Sequence, residues 1–264
     1  VVGKDIIRFH GIYWPIFLMA LDLPLPKKIY AHGFIMMKDG KMSKSKGNVV
    51  YPEILIDRYG LDATKYFLMR EFPYGQDAIF SPEGFVERFN YDLCNDLGNL
   101  LNRTIGMINK YFDGNIFEYN GHQDEEIENY ANSQVKVVED KIENLHLSDA
   151  LAEIWNLISR TNKYIDETAP WLLAKEEDKQ EKLKSVMYHL SENLRKVAIL
   201  ISPFMEDTAT SIFKQLGLTA DELQAWDSLY EYDKIPNNTK VIEKGEPLFV
   251  RLDMEEEINY IKEQ

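Results

Sequence analysis

Apolar side chains recur with helical spacing through most of the second part of the chain. From Ser81 onward the pattern predicts helices at 83–113, 124–144, 148–167, 179–202, 204–217 and 254–263. Ser148-Asp149 is a helix-start signal, and Ser202-Pro203 separates two of these helices. Residues 228–250 lack the pattern and are predicted to be irregular. This part is therefore predicted to be an α-helical bundle.

The first part of the chain mixes helical and strand patterns. Residues 1–21 carry a broad apolar helical face, and Pro15 should kink the helix or mark a short break in it. Residues 29–37 form an apolar run typical of a buried strand, and Asp39-Gly40 after it indicates a tight turn. Two further helices are predicted at 52–59 and 62–71, and residues 72–82 are predicted to be irregular. These features indicate part of an α/β domain.

Composition restricts the classes of protein that remain. Of the 264 residues, 45% are hydrophobic and 28% charged, which is typical of a globular protein, and no apolar run is long enough for a membrane span. Cys94 is the single cysteine, so an internal disulfide and a cysteine zinc site are excluded. No metal site is predicted in this chain. A reducing compartment, and so the cytoplasm, is predicted.

The net charge of −14 argues against a nucleic-acid partner, but the charge is unevenly distributed. Residues 1–110 carry a net charge of +2, and residues 111–264 carry −16. A locally basic and aromatic surface can still bind RNA on an acidic protein, because overall charge reports solubility and steering rather than the site.

The polar segment 41–48 follows the predicted strand and turn. Its lysines carry positive charge, its serines supply hydroxyl donors, and Gly47 lets the backbone turn. Pre-placed cationic donors of this kind stabilise phosphate oxygens. Composition alone leaves a solvated basic loop as the favoured alternative.

The order Lys-Met-Ser-Lys-Ser at 41–45 resembles the signature loop of class I aminoacyl-tRNA synthetases, without alteration. The resemblance implies that the loop closes on ATP. Lys41, Ser43, Lys44 and Ser45 would then be ATP-binding residues, and Lys41 and Lys44 would be catalytic, with Lys44 favoured for transition-state stabilisation.

The segment Gly3–His10, followed by Tyr13-Trp14-Pro15, resembles the amino-acid pocket of methionyl-tRNA synthetases. The resemblance implies that Phe9 and His10 contact methionine. It also implies that Gly3 and Asp5 lie near the ribose of ATP, and that the backbone of Ile35 contacts adenine. An aromatic pocket suits a thioether, because sulfur packs well at ring edges. For Tyr13 and Trp14, simple core packing is at least as favoured.

Asn99 and Arg103 share one face of a predicted helix and together offer donors and an acceptor to base edges. Pro170 should end or bend a helix and leave Trp171 at a corner. These strings resemble the anticodon-binding domain of methionyl-tRNA synthetases. The resemblance implies that Asn99 and Arg103 read bases of a CAU anticodon and that Trp171, beside Pro170, stacks on one. A surface hydrogen-bonded pair and a core tryptophan are the alternatives.

The predicted fold is mainly α: the second half of a Rossmann-like catalytic domain at 1–82, a helical anticodon-binding bundle at 83–230, and a C-terminal extension at 231–264 ending in a helix. The intact enzyme would use Mg²⁺·ATP to activate L-methionine and transfer it to tRNA(Met). Relative to that family, the chain lacks the half with the His-Ile-Gly-His-type string, the insertion that often holds zinc, and a C-terminal domain that dimerises many members. The isolated chain is therefore expected to be monomeric and inactive.

Three other functions remain open at this point. The chain could be a non-catalytic anticodon-binding piece, a class I synthetase for leucine, isoleucine or valine, or a nucleotidyltransferase unrelated to tRNA. The strings around Phe9-His10 and Trp171 argue against the second, and the long helical part has no role in the third.

Overall fold

The computed structural model describes residues 1–42, 45, 48–119 and 124–263. Its short strands are β1 Val2–Gly3, β2 Ala31–His32, β3 Ile35–Met37, β4 Gly40–Lys41, β5 Ala78–Ile79, β6 Asn115–Ile116 and β7 Thr239–Lys240. Strand β1 pairs in parallel with β2, and β3 pairs in parallel with β5 and antiparallel with β4. Strands β6 and β7 form a separate antiparallel pair. Parallel pairs need long crossovers, which the intervening helices provide.

Helices make up most of the remainder. They are α1 Trp14–Ala20, α2 Pro52–Tyr59, α3 Leu61–Glu71, α4 Pro82–Arg88, α5 Asn99–Phe112, α6 Glu125–Glu143, α7 Leu147–Thr168, α8 Pro170–Leu173, α9 Gln180–Ile201, α10 Glu206–Leu216, α11 Asp221–Gln224 and α12 Met254–Glu263. A π-helical segment, Phe89–Gly98, joins α4 to α5. The helices predicted beyond residue 51 are confirmed to within a few residues. No helix in these ranges is both long and apolar enough to cross a lipid bilayer.

The helix predicted over residues 1–21 is right in most of its extent but wrong in detail: residues 4–20 are helical throughout, but not as one regular α-helix. This segment contains β1, a 3-10 turn at Lys4–Ile6, a π-helical turn at Phe9–Tyr13 and then α1. Pro15 follows the π-helical segment within two residues and has no N–H to donate, so the helix is irregular where the sequence predicts a kink or short break. The apolar side chains of this segment are largely exposed, as the 58% exposure of Phe9 illustrates.

The buried strand predicted over 29–37 is also wrong in detail. Two short strands, β2 and β3, lie on either side of Gly33. A Cβ atom on Gly33 would lie 1.9 Å from the carbonyl oxygen of Gln76, so only glycine allows the two backbones to approach this closely. Ile35 is 39% exposed, so β3 is not fully buried. The predicted Asp39-Gly40 turn is confirmed, because β3 and β4 form an antiparallel hairpin around it.

Helix α9 lies at the centre of the bundle and contacts α5, α6, α7 and α10. Nearly all of its side chains from Leu183 to Ile201 are buried, including polar ones. Most of those polar groups have partners: Lys196, for example, donates to Asn132 and to the carbonyl of Leu229. The bundle that carries α5 is therefore held by one continuous core.

The segment after β7 runs back along the bundle without regular secondary structure as far as α12. Asn109 donates to the carbonyl of Ile242, and Asn90 exchanges two hydrogen bonds with the backbone of Leu252. Helix α12 then packs on α4, and Glu257 accepts from Arg58 of α2 at 2.6 Å. Residues near the C-terminus thus fasten the bundle to the first part of the chain.

Candidate functional sites

Lys41, on β4, lies beside a cluster that the sequence did not predict. Its Nζ is 4.1 Å from the centroid of the Phe34 ring, and the Nζ of Lys4 is 4.6 Å from the same centroid. Lys4 also donates to both carboxylate oxygens of Asp77 at 2.5 Å, and Asp77 accepts the Phe34 N–H at 2.8 Å. The hydrogen bond from Lys4 is the main reason that the pKa of Asp77 lies below its ordinary value. Two ammonium groups therefore converge at the start of β3.

The residues expected near the ribose and adenine of ATP lie around this cluster. Gly3 pairs with His32 across β1 and β2. Its Cβ, if it had one, would lie 2.5 Å from Oδ1 of Asp5, so the carboxylate folds back over the glycine. Ile35 follows Phe34 directly and opens β3. Lys4 lies between Gly3 and Asp5 in the chain, and Phe34 precedes Ile35. Because Lys4 and Lys41 both lie on the Phe34 ring, the four predicted residues surround one cluster.

The side chains expected at the methionine pocket lie on the π-helical turn Phe9–Tyr13 and the start of α1. The rings of Phe9 and Tyr13 are 5.6 Å apart, and His10 meets Trp14 edge-on at 6.1 Å. The Nδ1 atom of His10 lies 3.1 Å from the carbonyl oxygen of Ile6, which fixes the ring. Tyr13 and Trp14 are more than 40% exposed, so in the described ranges they do not pack a core.

Ser43 and Lys44 lie outside the described residues. Ser45 is described and exposed. The proposed contacts of these residues with ATP remain predictions from the sequence.

In the helical bundle, Asn99 and Arg103 lie one turn apart on α5. Asn99 is exposed, and Arg103 is half-buried. The Nη2 atom of Arg103 donates to Oδ1 of Asp166 at 2.8 Å. Asp166 belongs to the last turn of α7, and one turn earlier Asn162 donates to the carbonyl of Asp96. These two contacts hold the start of α5 against the end of α7.

Trp171 follows a sharp corner between α7 and α8. Ala169 adopts a left-handed conformation with a φ of 43°, and Pro170 begins α8 in a buried position. Trp171 is 43% exposed. Its Cα lies at most about 18 Å from that of Asp166, the reach of five extended residues. The structure therefore brings Trp171 to the same end of the bundle as Asn99 and Arg103, and none of the three is in the interior.

A pocket of about 430 Å³ opens beside Asn99. It is lined by Cys94, Asn95, Gly98, Asn99, Asn102, Phe249 and Arg251. Arg251 donates to Asn95 at 3.2 Å, so the C-terminal segment contributes to this surface. Nearby in the chain, burial raises the pKa of Asp96 to about 6, with Asp92 adding to the effect. Arg251 could not be predicted to lie here, because its partner Asn95 is 156 positions away in the chain.

Two known families match the chain in succession. The family described as "tRNA synthetases class I (M)" matches residues 1–105. The family described as "Anticodon binding domain of methionyl tRNA ligase" matches residues 118–263.

Curated relatives match along the whole chain. It is 60% identical to the methionine–tRNA ligase of Listeria innocua, over 100% of this chain and 40% of that protein. The methionine–tRNA ligase of Bacillus subtilis is 61% identical over 99% of this chain, again 40% of that protein. The chain thus spans about 40% of the length of these relatives.

Solved structures agree. Mycobacterium tuberculosis methionyl-tRNA synthetase bound by methionyl-adenylate matches with a TM-score of 0.88 and 35% identity, over 94% of this chain and 49% of that one. The apo form of that synthetase matches with a TM-score of 0.85. The predicted fold class is thereby confirmed: a mainly α chain that joins the second half of a Rossmann-like domain to an anticodon-binding bundle. On these grounds the chain belongs to the methionyl-tRNA synthetases, within the class I aminoacyl-tRNA synthetases.

Proposed function

We propose that this chain is part of an enzyme that forms methionyl-adenylate from L-methionine and Mg²⁺·ATP and transfers the methionyl group to tRNA(Met). The observation that carries the proposal is the alignment of the whole chain, at 60% identity, with a methionine–tRNA ligase. In this proposal, residues 1–82 contribute one side of the catalytic site, 83–230 bind the anticodon, and 231–264 fasten the two together. The intact enzyme acts in the cytoplasm.

The catalytic contribution comes from cations placed where phosphate charge develops. Lys41 and Lys44 bind the triphosphate, and Ser43 and Ser45 add hydroxyl donors. Lys4 is neutralised by Asp77, whereas Lys41, also beside Phe34, makes no ion pair within the part of the chain that the structure describes. Gly3, Asp5 and Ile35 bind the nucleoside, and Phe9 and His10 hold methionine. Such preorganised charges stabilise a transition state because no reorganisation is needed during the reaction.

The anticodon contribution comes from the exposed end of the bundle. Asn99 and Arg103 present donors to the edges of splayed bases, and the face of Trp171 stacks on one base. Pro170 is buried and fixes the corner from which the indole projects.

The first test uses the chain as it stands. We expect it to bind an RNA hairpin with a CAU loop more tightly than the same hairpin with a changed loop, and ATP to leave both affinities unaltered. We also expect no ATP–pyrophosphate exchange, since only one of the two nucleotide signatures of the family is present. Equal affinity for both hairpins would refute the proposed anticodon binding. Robust ATP–pyrophosphate exchange would refute the proposal that this chain supplies only one side of the catalytic site.

A second test concerns Arg103. Replacing it with alanine should weaken binding of the CAU hairpin by about 1–3 kcal/mol, the usual cost of losing one base-reading arginine. The free energy of unfolding should change by less than about 1 kcal/mol, because the partner Asp166 is exposed. Fluorescence titration and urea unfolding measure the two quantities.

Two further variants sharpen this test. Arg103→Lys keeps the charge but loses the planar fork, so it should lose most of the discrimination between loops. Arg160→Ala removes another arginine, which pairs with Glu126 and Glu167, and should leave the discrimination unaltered. Full discrimination by Arg103→Lys would show that Arg103 acts only as a charge.

A further inference from the structure

Helix α5 is unusually free of negative charge for this chain. It holds no Asp or Glu over Asn99–Phe112, although the whole chain carries a net charge of −14. Its buried side is formed by Leu100, Leu101, Thr104, Ile105 and Ile108. The opposite side exposes Asn99, Asn102, Gly106 and Lys110. Since successive residues turn by about 100°, these four and Arg103 lie within one face of about 100°.

Gly106 has no packing partner among the residues that the structure describes. It lies in the middle of α5, where glycine is the least favourable residue after proline. A Cβ atom placed on it would meet nothing within 4 Å, and its φ is not in the left-handed region. Within the described ranges, neither packing nor backbone conformation requires glycine here. A glycine at such a position allows close approach by a molecule outside the chain.

Lys110 lies one turn beyond Gly106 on the same face. Its Nζ is 5.2 Å from the centroid of the Tyr111 ring, and it makes no ion pair in the part of the chain that the structure describes. A lysine in the last turn of a helix also stabilises the helix dipole, so charge at this position has an internal explanation. Only the combination of Lys110 with Gly106 therefore indicates an external ligand.

We propose that the face of α5 formed by Gly106 and Lys110 is a binding site for the phosphate backbone of the anticodon arm. It begins about 4.5 Å along the axis from Arg103 and ends about 10.5 Å from it. The missing side chain at Gly106 lets the strand approach the helix backbone, and the ammonium of Lys110 neutralises a phosphate beside it. The inference rests on the proposed anticodon binding and adds where the strand runs after its bases have been read.

Two substitutions at Gly106 separate this role from a structural one. Gly106→Ala should raise the melting temperature by about 2–4 °C, because alanine favours the helix, yet weaken binding of the CAU hairpin. Gly106→Gln should weaken binding further. Thr210→Gln, at an exposed position of α10, is the matched control and should leave affinity unchanged. A stabilising change that lowers affinity is not expected if glycine matters only for folding.

Salt dependence tests Lys110. Lys110→Gln should reduce the slope of log affinity against log salt by about 0.7–0.9, the value for one phosphate contact. At about 0.1 M salt, and relative to 1 M, this corresponds to a loss of about five- to eightfold. The loss should be equal for CAU and changed loops, because a phosphate contact carries no sequence information.

The outcomes distinguish this inference from the function on which it rests. If Gly106→Gln binds like the unaltered chain while Arg103→Ala binds weakly, the backbone site is overturned and anticodon binding stands. An unchanged salt slope for Lys110→Gln likewise overturns the phosphate contact. If the unaltered chain does not distinguish the two loops, anticodon binding itself fails.

Discussion

Replacing Trp171 with alanine is expected to weaken binding of a CAU hairpin by about 1–3 kcal/mol, or about 5- to 150-fold, the range for one base–aromatic stack. The indole is 43% exposed at the corner between α7 and α8, so a base can reach its face. Because Pro170 is buried, the corner is preformed, and little ordering is required on binding. Fluorescence anisotropy of labelled RNA measures the change.

The neighbouring residue provides the control for this prediction. Leu172 is 51% exposed and apolar, but it has no π-face. Leu172→Ala should therefore change affinity little, and Trp171→Phe should retain part of it. Equal losses from Trp171→Ala and Leu172→Ala would indicate a general apolar contact. Normal binding by Trp171→Ala would remove the stacking platform altogether.

The helical part of the fold could be predicted because its signals are local. Helix α2 is predicted at 52–59 and observed at Pro52–Tyr59, where proline starts the helix and Gly60 follows it. Helix α12 is likewise observed at the predicted bounds, Met254–Glu263. An apolar stripe with a period of 3.6 and a breaker at each end suffices to locate such elements.

The segment that carries β1 to β4 could not be predicted in the same way, because its structure depends on distant partners. Whether residues 29–37 form one strand or two depends on Gly33, which meets the backbone of Gln76. The helical pattern of residues 1–21 conceals β1, which exists only because it pairs with Ala31 and His32. Neither contact can be recognised from the pattern of apolar residues along the chain.

The candidate sites divide along the same line. The positions of Lys41 and Trp171 followed from motifs, and the exposure of Trp171 agrees with its proposed role. The carboxylates that pair with Lys4 and Arg103 could not be predicted from motifs. Asp77 is 73 positions from Lys4, and Asp166 is 63 positions from Arg103. A sequence indicates which side chains carry chemistry, but not which distant groups orient them.

The largest loss of stability is expected from Glu192→Gln, in the centre of α9. Glu192 and Arg195 are both fully buried and joined by hydrogen bonds of 2.6 to 3.1 Å. Arg195 also donates to the carbonyls of Leu223 and Ser228, and so fastens the segment after α10 to the core. Removing the carboxylate charge leaves the guanidinium buried and uncompensated, which costs about 3–5 kcal/mol.

Urea unfolding measures this loss, with Asp140→Asn as the control. Asp140 pairs with Lys136 on the exposed side of α6, so its loss should cost only about 0.3–0.5 kcal/mol. Glu192→Gln should also lower the pKa of Lys196 further, because burial already reduces it to about 8 and Glu192 opposes that effect. The double variant Glu192→Leu/Arg195→Met should be less destabilised than Glu192→Gln, since no charge remains unpaired. A cost below about 1 kcal/mol for Glu192→Gln would mean that water or a local rearrangement compensates Arg195, and that the core around α9 is looser than its packing indicates.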